Sequence, residues 1–316
     1  MLRLFCLFTL LFVASAQAEV RVLTSIKPLQ LIAAAVQDGV GEPEVLLPPG
    51  ASPHHYALRP SDVRRVREAD LLYWIGPDME AFLPRVLSSR NKPQVAVQDL
   101  PGMTLRHFGD SHGEHDHDHQ HDDHDHEHAH AGDDLGHDHD HRPGSLDAHL
   151  WLAADNAKVI AARMAADLAK LDAANAGRYA ANLQAFEARL DALDGRIRPQ
   201  LAELQGKPYF VFHEAFDYFE AAYGLKHAGV FSVLTEVQPG ARHVAAMRER
   251  LQQTGPSCVF SEPPLRPRLA ETLTAGLPVK LAELDALGGT LPVDASGYQQ
   301  LLDNLANGLS ECLNSL

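Results

Sequence analysis

Short apolar segments alternate with helical patterns in both halves of the chain. The apolar and β-branched pattern predicts strands at 20–24, 44–47, 71–75 and 94–97, and again at 209–212, 228–231, 258–260 and 279–281. Helices are predicted between and after them at 28–36, 62–68, near 79–88, and at 214–223, 239–253, 267–275 and 296–313. Such alternation predicts an α/β fold: two α/β lobes, each with a parallel sheet covered by helices.

A long helix is predicted between the two blocks. Its apolar positions recur at spacings of three and four, at Tyr179, Leu183, Phe186, Leu190, Leu193, Ile197, Leu201 and Leu204. A helix over 175–204 would be about 45 Å long and would join the lobes as one rigid connection. Two helices broken near Gly195 or Pro199 are the alternative. The predicted domains are therefore an N-terminal lobe at 19–174, the linker helix, and a C-terminal lobe at 205–316.

The first 18 residues have the pattern of a secretory signal peptide. Arg3 precedes a short apolar run at 4–13, and a small-residue A-x-A site ends at Ala18. We therefore predict cleavage after Ala18 and export to the periplasm. An uncleaved membrane anchor is the alternative, but the run is shorter than the roughly 20 residues that cross a bilayer.

The negative charge of the chain is concentrated in one segment. The formal charge is −15, yet residues 107–141 alone hold 12 of the 42 acidic residues and no Lys or Arg. The chain outside that segment is nearly neutral, and it lacks the clustered positive charge of a nucleic-acid binder. The segment has no apolar periodicity, so we predict a disordered insertion at 107–142 within the N-terminal lobe.

The same insertion is rich in histidine. It holds 13 of the 19 histidines, interleaved with Asp and Glu. Imidazole suits zinc, copper and nickel, so the tract predicts several weak, exchangeable metal sites rather than one tight site. The candidate accessory ligands are His115, His117, His119, His121, His124, His126, His128, His130, His137, His139 and His141. A solvated acidic linker and a pH sensor are the alternatives.

Two cysteines remain after removal of the signal peptide. Cys258 and Cys312 form an even pair in an exported chain, which predicts a disulfide. Closing a loop of about 55 residues would stabilise the fold by roughly 4 kcal/mol. Two buried free thiols are the alternative.

Isolated polar residues at strand ends are the more specific candidates for chemistry. His54 and Asp285 follow predicted strands, His213 comes directly after one, and His149 lies at the far edge of the insertion. Ligands of open α/β sheets bind beyond the carboxyl ends of the strands. A metal held by two histidines of one lobe and two residues of the other would lie in the cleft between the lobes.

Several motifs together resemble the metal-binding solute receptors of ABC importers. They are the segment 46–56 with Arg59-Pro60-Ser61-Asp62, then 147–152, 211–216, 261–263 and 284–288. The acidic His-rich insertion, the paired cysteines and His213 are similar to the zinc-specific, ZnuA-type branch, since manganese-preferring relatives usually carry a carboxylate at that histidine. The resemblance implies two α/β lobes joined by one rigid helix, and an ABC permease with its cytoplasmic ATPase as the partner.

The resemblance also implies the ligands. His54, His149 and His213 match the three imidazole ligands, and Asp285 matches a carboxylate that binds metal in some relatives. Pro53 departs from the pattern, because some zinc-specific relatives have a glutamate there. The fourth ligand is then Asp285 or water, and we favour Asp285. His55 is expected to be a neighbour of the metal, and Glu262 to support a ligand.

Three imidazoles with at most one carboxylate favour Zn²⁺ over Mn²⁺, which prefers more oxygen ligands. We therefore expect a receptor that captures zinc in the cleft and delivers it to a permease, with the tract assisting in zinc capture or sensing. We expect a monomer that is not an enzyme and does not bind nucleic acid. A zinc enzyme, a zinc buffer or metallochaperone, and a manganese-type receptor are the competing hypotheses. The sequence has no HExxH motif, which weighs against the enzyme.

Overall fold

The computed structural model describes residues 19–109, 144–232, 241–263 and 268–316. The predicted signal peptide and the candidate tract ligands His115 to His141 lie outside these ranges. None of the helices within the described ranges combines the length and the hydropathy needed to span a bilayer.

Two four-stranded parallel sheets form the two lobes, which confirms the predicted fold class. The first sheet has the order β2-β1-β3-β4, with β1 Val22–Thr24, β2 Glu44–Val45, β3 Leu71–Trp74 and β4 Gln94–Ala96. The second has the order β6-β5-β7-β8, with β5 Tyr209–His213, β6 Gly229–Ser232, β7 Ser257–Ser261 and β8 Val279–Glu283. In each lobe the strand order reverses between the two central strands, where open sheets bind ligands.

Helices cover and connect the sheets. They are α1 Lys27–Val36, α2 Pro60–Glu68, α3 Pro84–Leu87, α4 Ala154–Leu171, α5 Ala176–Ala202, α6 Asp217–Tyr223, α7 Ala241–Thr254, α8 Arg268–Thr274 and α9 Gly297–Leu313. The C-terminal helix α9 packs on α5 and also on α1 of the first lobe. The C-terminal helix is thereby held against both halves of the molecule. The predicted domain boundaries at 174/175 and 204/205 stay a prediction.

The linker between the lobes is a single helix. α5 continues through both Gly195 and Pro199. Both residues are exposed, so the missing hydrogen bond at Pro199 falls on the solvent side. The opposite face is fully packed, since Tyr179, Phe186 and Ile197 are at most 1% exposed. This apolar face explains why the helix does not break at either residue.

The helix predicted near 79–88 is wrong in its extent, because only α3 is helical there. Pro84 has no N–H, so a helix beginning near Met79 cannot be hydrogen-bonded through that position. The preceding residues form turns instead. The N–H groups of Met79 and Glu80 both donate to the Gly76 carbonyl, and the Gly76 N–H donates to Glu80 Oε2 at 3.0 Å.

A disulfide joins Cys258 of β7 to Cys312 of α9, which confirms the predicted pair. Both residues are buried. The bond fixes the last helix to a central strand of the second sheet, so the C-terminal segment is covalently anchored to that sheet.

Candidate metal centre

Three buried histidines from distant parts of the chain meet between the lobes. His54, His149 and His213 each offer one ring nitrogen within 4.8 Å of the others. The Nε2 atoms of His54 and His149 are 3.4 Å apart, and the three ring centroids lie 4.9–5.4 Å from one another. We call these three residues the histidine triad. Its rings are close enough together to bind one metal ion.

The local structure explains how each ring reaches the centre. His54 lies in the loop after β2, where Gly50 adopts a positive φ of 77° that disfavours other residues. His213 is the last residue of β5, at the edge where the strand order of the second sheet reverses. His149 directly precedes the short 3₁₀ turn Leu150–Leu152. Two of the ligand candidates therefore come from the carboxyl ends of strands, as the sequence predicts.

Carboxylates hold two of the three rings. His149 Nδ1 is 2.7 Å from Asp147 Oδ1, and His213 Nδ1 is 3.0 Å from Glu262 Oε1. Such bonds fix the ring orientation and leave Nε2 as the metal-binding atom, and they increase the basicity of the ligand. The contact of Glu262 agrees with the supporting role expected from the sequence. The contact of Asp147 was not predicted, because a carboxylate two residues before a histidine is no signal by itself.

Asp147 is wholly buried, and this changes its chemistry. Burial raises the pKa of the Asp147 carboxyl well above its usual range, and the nearby Asp217 and Glu214 carboxylates raise it further. The backbone N–H of His149 opposes this shift. A cation bound to the His149 ring would favour the ionised carboxylate.

Asp285 lines the same cavity as the triad but is not brought into the group. The cavity has a volume of about 290 Å³ and is also lined by Trp151 and Glu262. The Asp285 carboxylate accepts backbone N–H bonds from Leu287 at 3.0 Å and from Gly288 and Gly289 at 2.8 Å. These bonds stabilise the loop after β8. The assignment of Asp285 as the fourth ligand stays a prediction.

Trp151 connects the centre to both lobes. Its ring lies 5.3 Å from the His149 ring, and its Nε1–H donates to the Ala286 carbonyl at 2.8 Å. The Tyr298 hydroxyl donates to the Trp151 carbonyl. Trp151, which follows His149 of the first lobe, is thus hydrogen-bonded to two residues of the second lobe.

The fold and the site can be compared with known proteins. The high-affinity zinc uptake system protein ZnuA of Yersinia pestis is 42% identical over 299 residues, covering 94% of this chain and 92% of the relative. The protein of the same name from Brucella suis is 38% identical over 305 residues, covering 93% and 91%.

Solved structures share the fold. A ZnuA crystal structure matches with a TM-score of 0.71 at 21% identity, covering 92% of this chain and 100% of the other. AdcAII of Streptococcus pneumoniae matches with a TM-score of 0.72 at 20% identity, covering 93% and 98%. The family model described as zinc-uptake complex component A, periplasmic, matches residues 22–312. The chain therefore belongs to the ZnuA family of periplasmic zinc-uptake components.

Proposed function

We propose that this protein is the periplasmic receptor that captures Zn²⁺ in the interlobe cleft and delivers it to an ABC permease. The observation that carries the proposal is the triad: three buried imidazoles within reach of one ion. This donor set suits zinc, with the fourth position filled by Asp285 or water. Family membership supports the proposal, since the relatives are named zinc uptake proteins and the family is not a class of enzymes.

The chemistry of this site is capture and release. Zinc binds neutral imidazoles, so protons compete with zinc for the rings and binding weakens as the pH is lowered. The carboxylates of Asp147 and Glu262 keep two rings oriented for the incoming ion. The ion lies between two lobes, so separation of the lobes would dismantle the site and release it.

The test is the zinc affinity of the mature protein, measured by competition with a chelator. We expect His54→Ala, His149→Ala and His213→Ala each to abolish tight binding, whereas His55→Ala retains it. His55 is a matched control because it is adjacent to His54 but exposed. Unchanged affinity in all three variants would disprove the proposed site. A tight site that prefers Mn²⁺ would favour the manganese-type receptor instead.

Delivery to a permease needs a test in cells. A strain that lacks its zinc receptor should regain growth at limiting zinc when it expresses this chain, and should not regain it with His213→Ala. Growth with that variant would favour a buffer whose metal binding does not need the triad. We further propose that export removes residues 1–18, which mass analysis of the periplasmic protein would check.

We propose an accessory capture role for the histidine tract. The described residues at its two ends are paired, since the Phe108 N–H donates to the Ser145 carbonyl at 3.0 Å and Asp147 N–H to the Arg106 carbonyl at 2.9 Å. Both ends therefore lie beside the carboxylate that orients His149. Deleting residues 110–142 should slow zinc loading at limiting metal and leave the final affinity unchanged. Loss of nearly all zinc binding would instead make the tract the main site, as in a buffer.

A further inference from the structure

A second group of metal-ligand side chains lies near the start of α6. Glu214, Asp217 and His227 each offer one ligand atom, and these atoms lie within 4.8 Å of one another. None of the three belongs to the histidine triad. Asp217 is 3% exposed and His227 8%, whereas Glu214 is half-buried. The group is therefore largely enclosed and accessible on the Glu214 side.

The local sequence explains this convergence. Glu214 lies in the bend after β5, just before α6, whereas Asp217 and Glu220 lie three residues apart in the first turn of α6 and therefore on one face. α6 ends at Tyr223 and is followed by Gly224, whose left-handed φ of 69° reverses the chain direction. The chain then returns His227 to the same face, where it meets the carboxylates of the first turn.

A carboxylate orients His227, as in the triad. His227 Nδ1 lies 3.0 and 2.9 Å from the two carboxylate oxygens of Glu220. Glu220 is itself fixed by the Tyr209 hydroxyl, which donates to Oε1 at 2.6 Å. A neutral ring that donates from Nδ1 carries its free electron pair on Nε2, which is the tautomer of a metal ligand. His149 and His213 are held in the same way.

The surrounding charge also calls for a cation. The ligand atoms of Glu214 and Asp217 lie within 4.8 Å of each other, and Asp217 is buried. The Glu220 carboxylate, 2.9 Å from His227 Nδ1, adds a third acidic group beside the same ring. Carboxylates this close together repel one another unless a proton or a cation lies between them.

We propose that Glu214, Asp217 and His227 form a second site for a divalent cation of the zinc class. One imidazole and two carboxylates are a donor set that zinc accepts, whereas Mg²⁺ and Ca²⁺ take oxygen ligands. The site is distinct from the triad, although Glu214 directly follows His213 in the chain. The inference concerns residues that the proposed receptor function does not use.

The test is zinc-edge anomalous diffraction from crystals of the mature full chain, grown with one equivalent and then with excess Zn²⁺. We expect one peak at the triad and, in excess zinc, a second peak between Glu214, Asp217 and His227. Glu214→Gln and Asp217→Asn keep the side-chain shapes and remove the charges, and should eliminate the second peak only. Glu271→Gln, which alters an exposed carboxylate of α8, should leave both peaks.

A saturated triad with no density between Glu214, Asp217 and His227 would overturn the inference. A second peak that persists in both Glu214→Gln and Asp217→Asn would overturn it too, since other residues would then hold the ion. A second peak without one at the triad would instead contradict the proposed receptor function and leave this inference standing. Glu214 is half-buried, so Glu214→Gln disturbs the packing less than a substitution at buried Asp217. The Glu214→Gln variant therefore still tests the site if Asp217→Asn fails to fold.

Discussion

The bond between Asp147 and His149 gives a sharp prediction for zinc affinity. Asp147 Oδ1 lies 2.7 Å from His149 Nδ1, and both side chains are buried, so solvent does not screen the interaction. Losing such an orienting carboxylate typically weakens metal binding by about 10- to 100-fold, or roughly 1.4–2.7 kcal/mol. We expect Asp147→Asn, which keeps an acceptor oxygen, to lie near tenfold, and Asp147→Ala to lie near the upper end.

The assay is chelator competition at fixed pH, with circular dichroism to show that each variant is folded. Asp155→Asn is the matched control, because it removes an exposed carboxylate of α4 that pairs only with a partly exposed lysine, Lys158, in the described structure. Its zinc affinity should not change. If both Asp147 variants fold and bind zinc as tightly as the unmodified protein, the carboxylate does not support the ligand and the reasoning is refuted.

Three further predictions concern stability. Replacing Cys258 and Cys312 by serine should lower the free energy of unfolding by about 4 kcal/mol in thermal or denaturant unfolding, and no change would contradict the chain-entropy argument. Burial raises the pKa of Glu80 from 4.5 to about 7, so the folded state keeps a proton that the unfolded chain releases. This stabilisation is complete below pH 4.5 and is lost as the pH rises through 7, on the order of 3 kcal/mol in all. Glu80→Gln should remove that part of the pH dependence of the unfolding free energy, measured by urea unfolding. An unchanged dependence of this free energy on pH would contradict the role assigned to Glu80. Trp151→Phe loses the hydrogen bond to Ala286 and should lower the free energy of unfolding by about 1–2 kcal/mol in the same assay. An unchanged free energy of unfolding would contradict this contribution.

Much of the fold follows from periodicity in the sequence. The parallel strands and the linker helix were predictable because their apolar residues are large and regularly spaced. α4 was not predicted, since three of its eight buried residues are the small side chains of Ala157, Ala161 and Ala165. Alanine is common on buried and exposed surfaces alike, so it gives little periodic signal. Tertiary packing against α1 and α5 establishes that face.

The candidate site was predictable in part. His213 ends a strand and His54 lies in the loop after one, each at the carboxyl edge of its own sheet. The meeting of His54 and His149 with His213 depends on how the two lobes face each other, and spacing along the chain carries no information on this. The same limit applies to Asp285, whose backbone hydrogen bonds are visible only in the folded loop. The acidic residues Glu214, Asp217 and Glu220 are visible in the sequence after a predicted strand, but their role as ligands depends on the return of His227.

The most direct test of the central claim is zinc X-ray absorption spectroscopy of the mature protein loaded with one equivalent of Zn²⁺. The account predicts a first shell with three imidazole nitrogens at about 2.0–2.1 Å and no sulfur. The protein with His54, His149 and His213 all replaced by alanine should lose this shell or give a different one. Fewer than two imidazoles in the unmodified protein, or the same spectrum in the triple variant, would contradict a zinc site built from the triad.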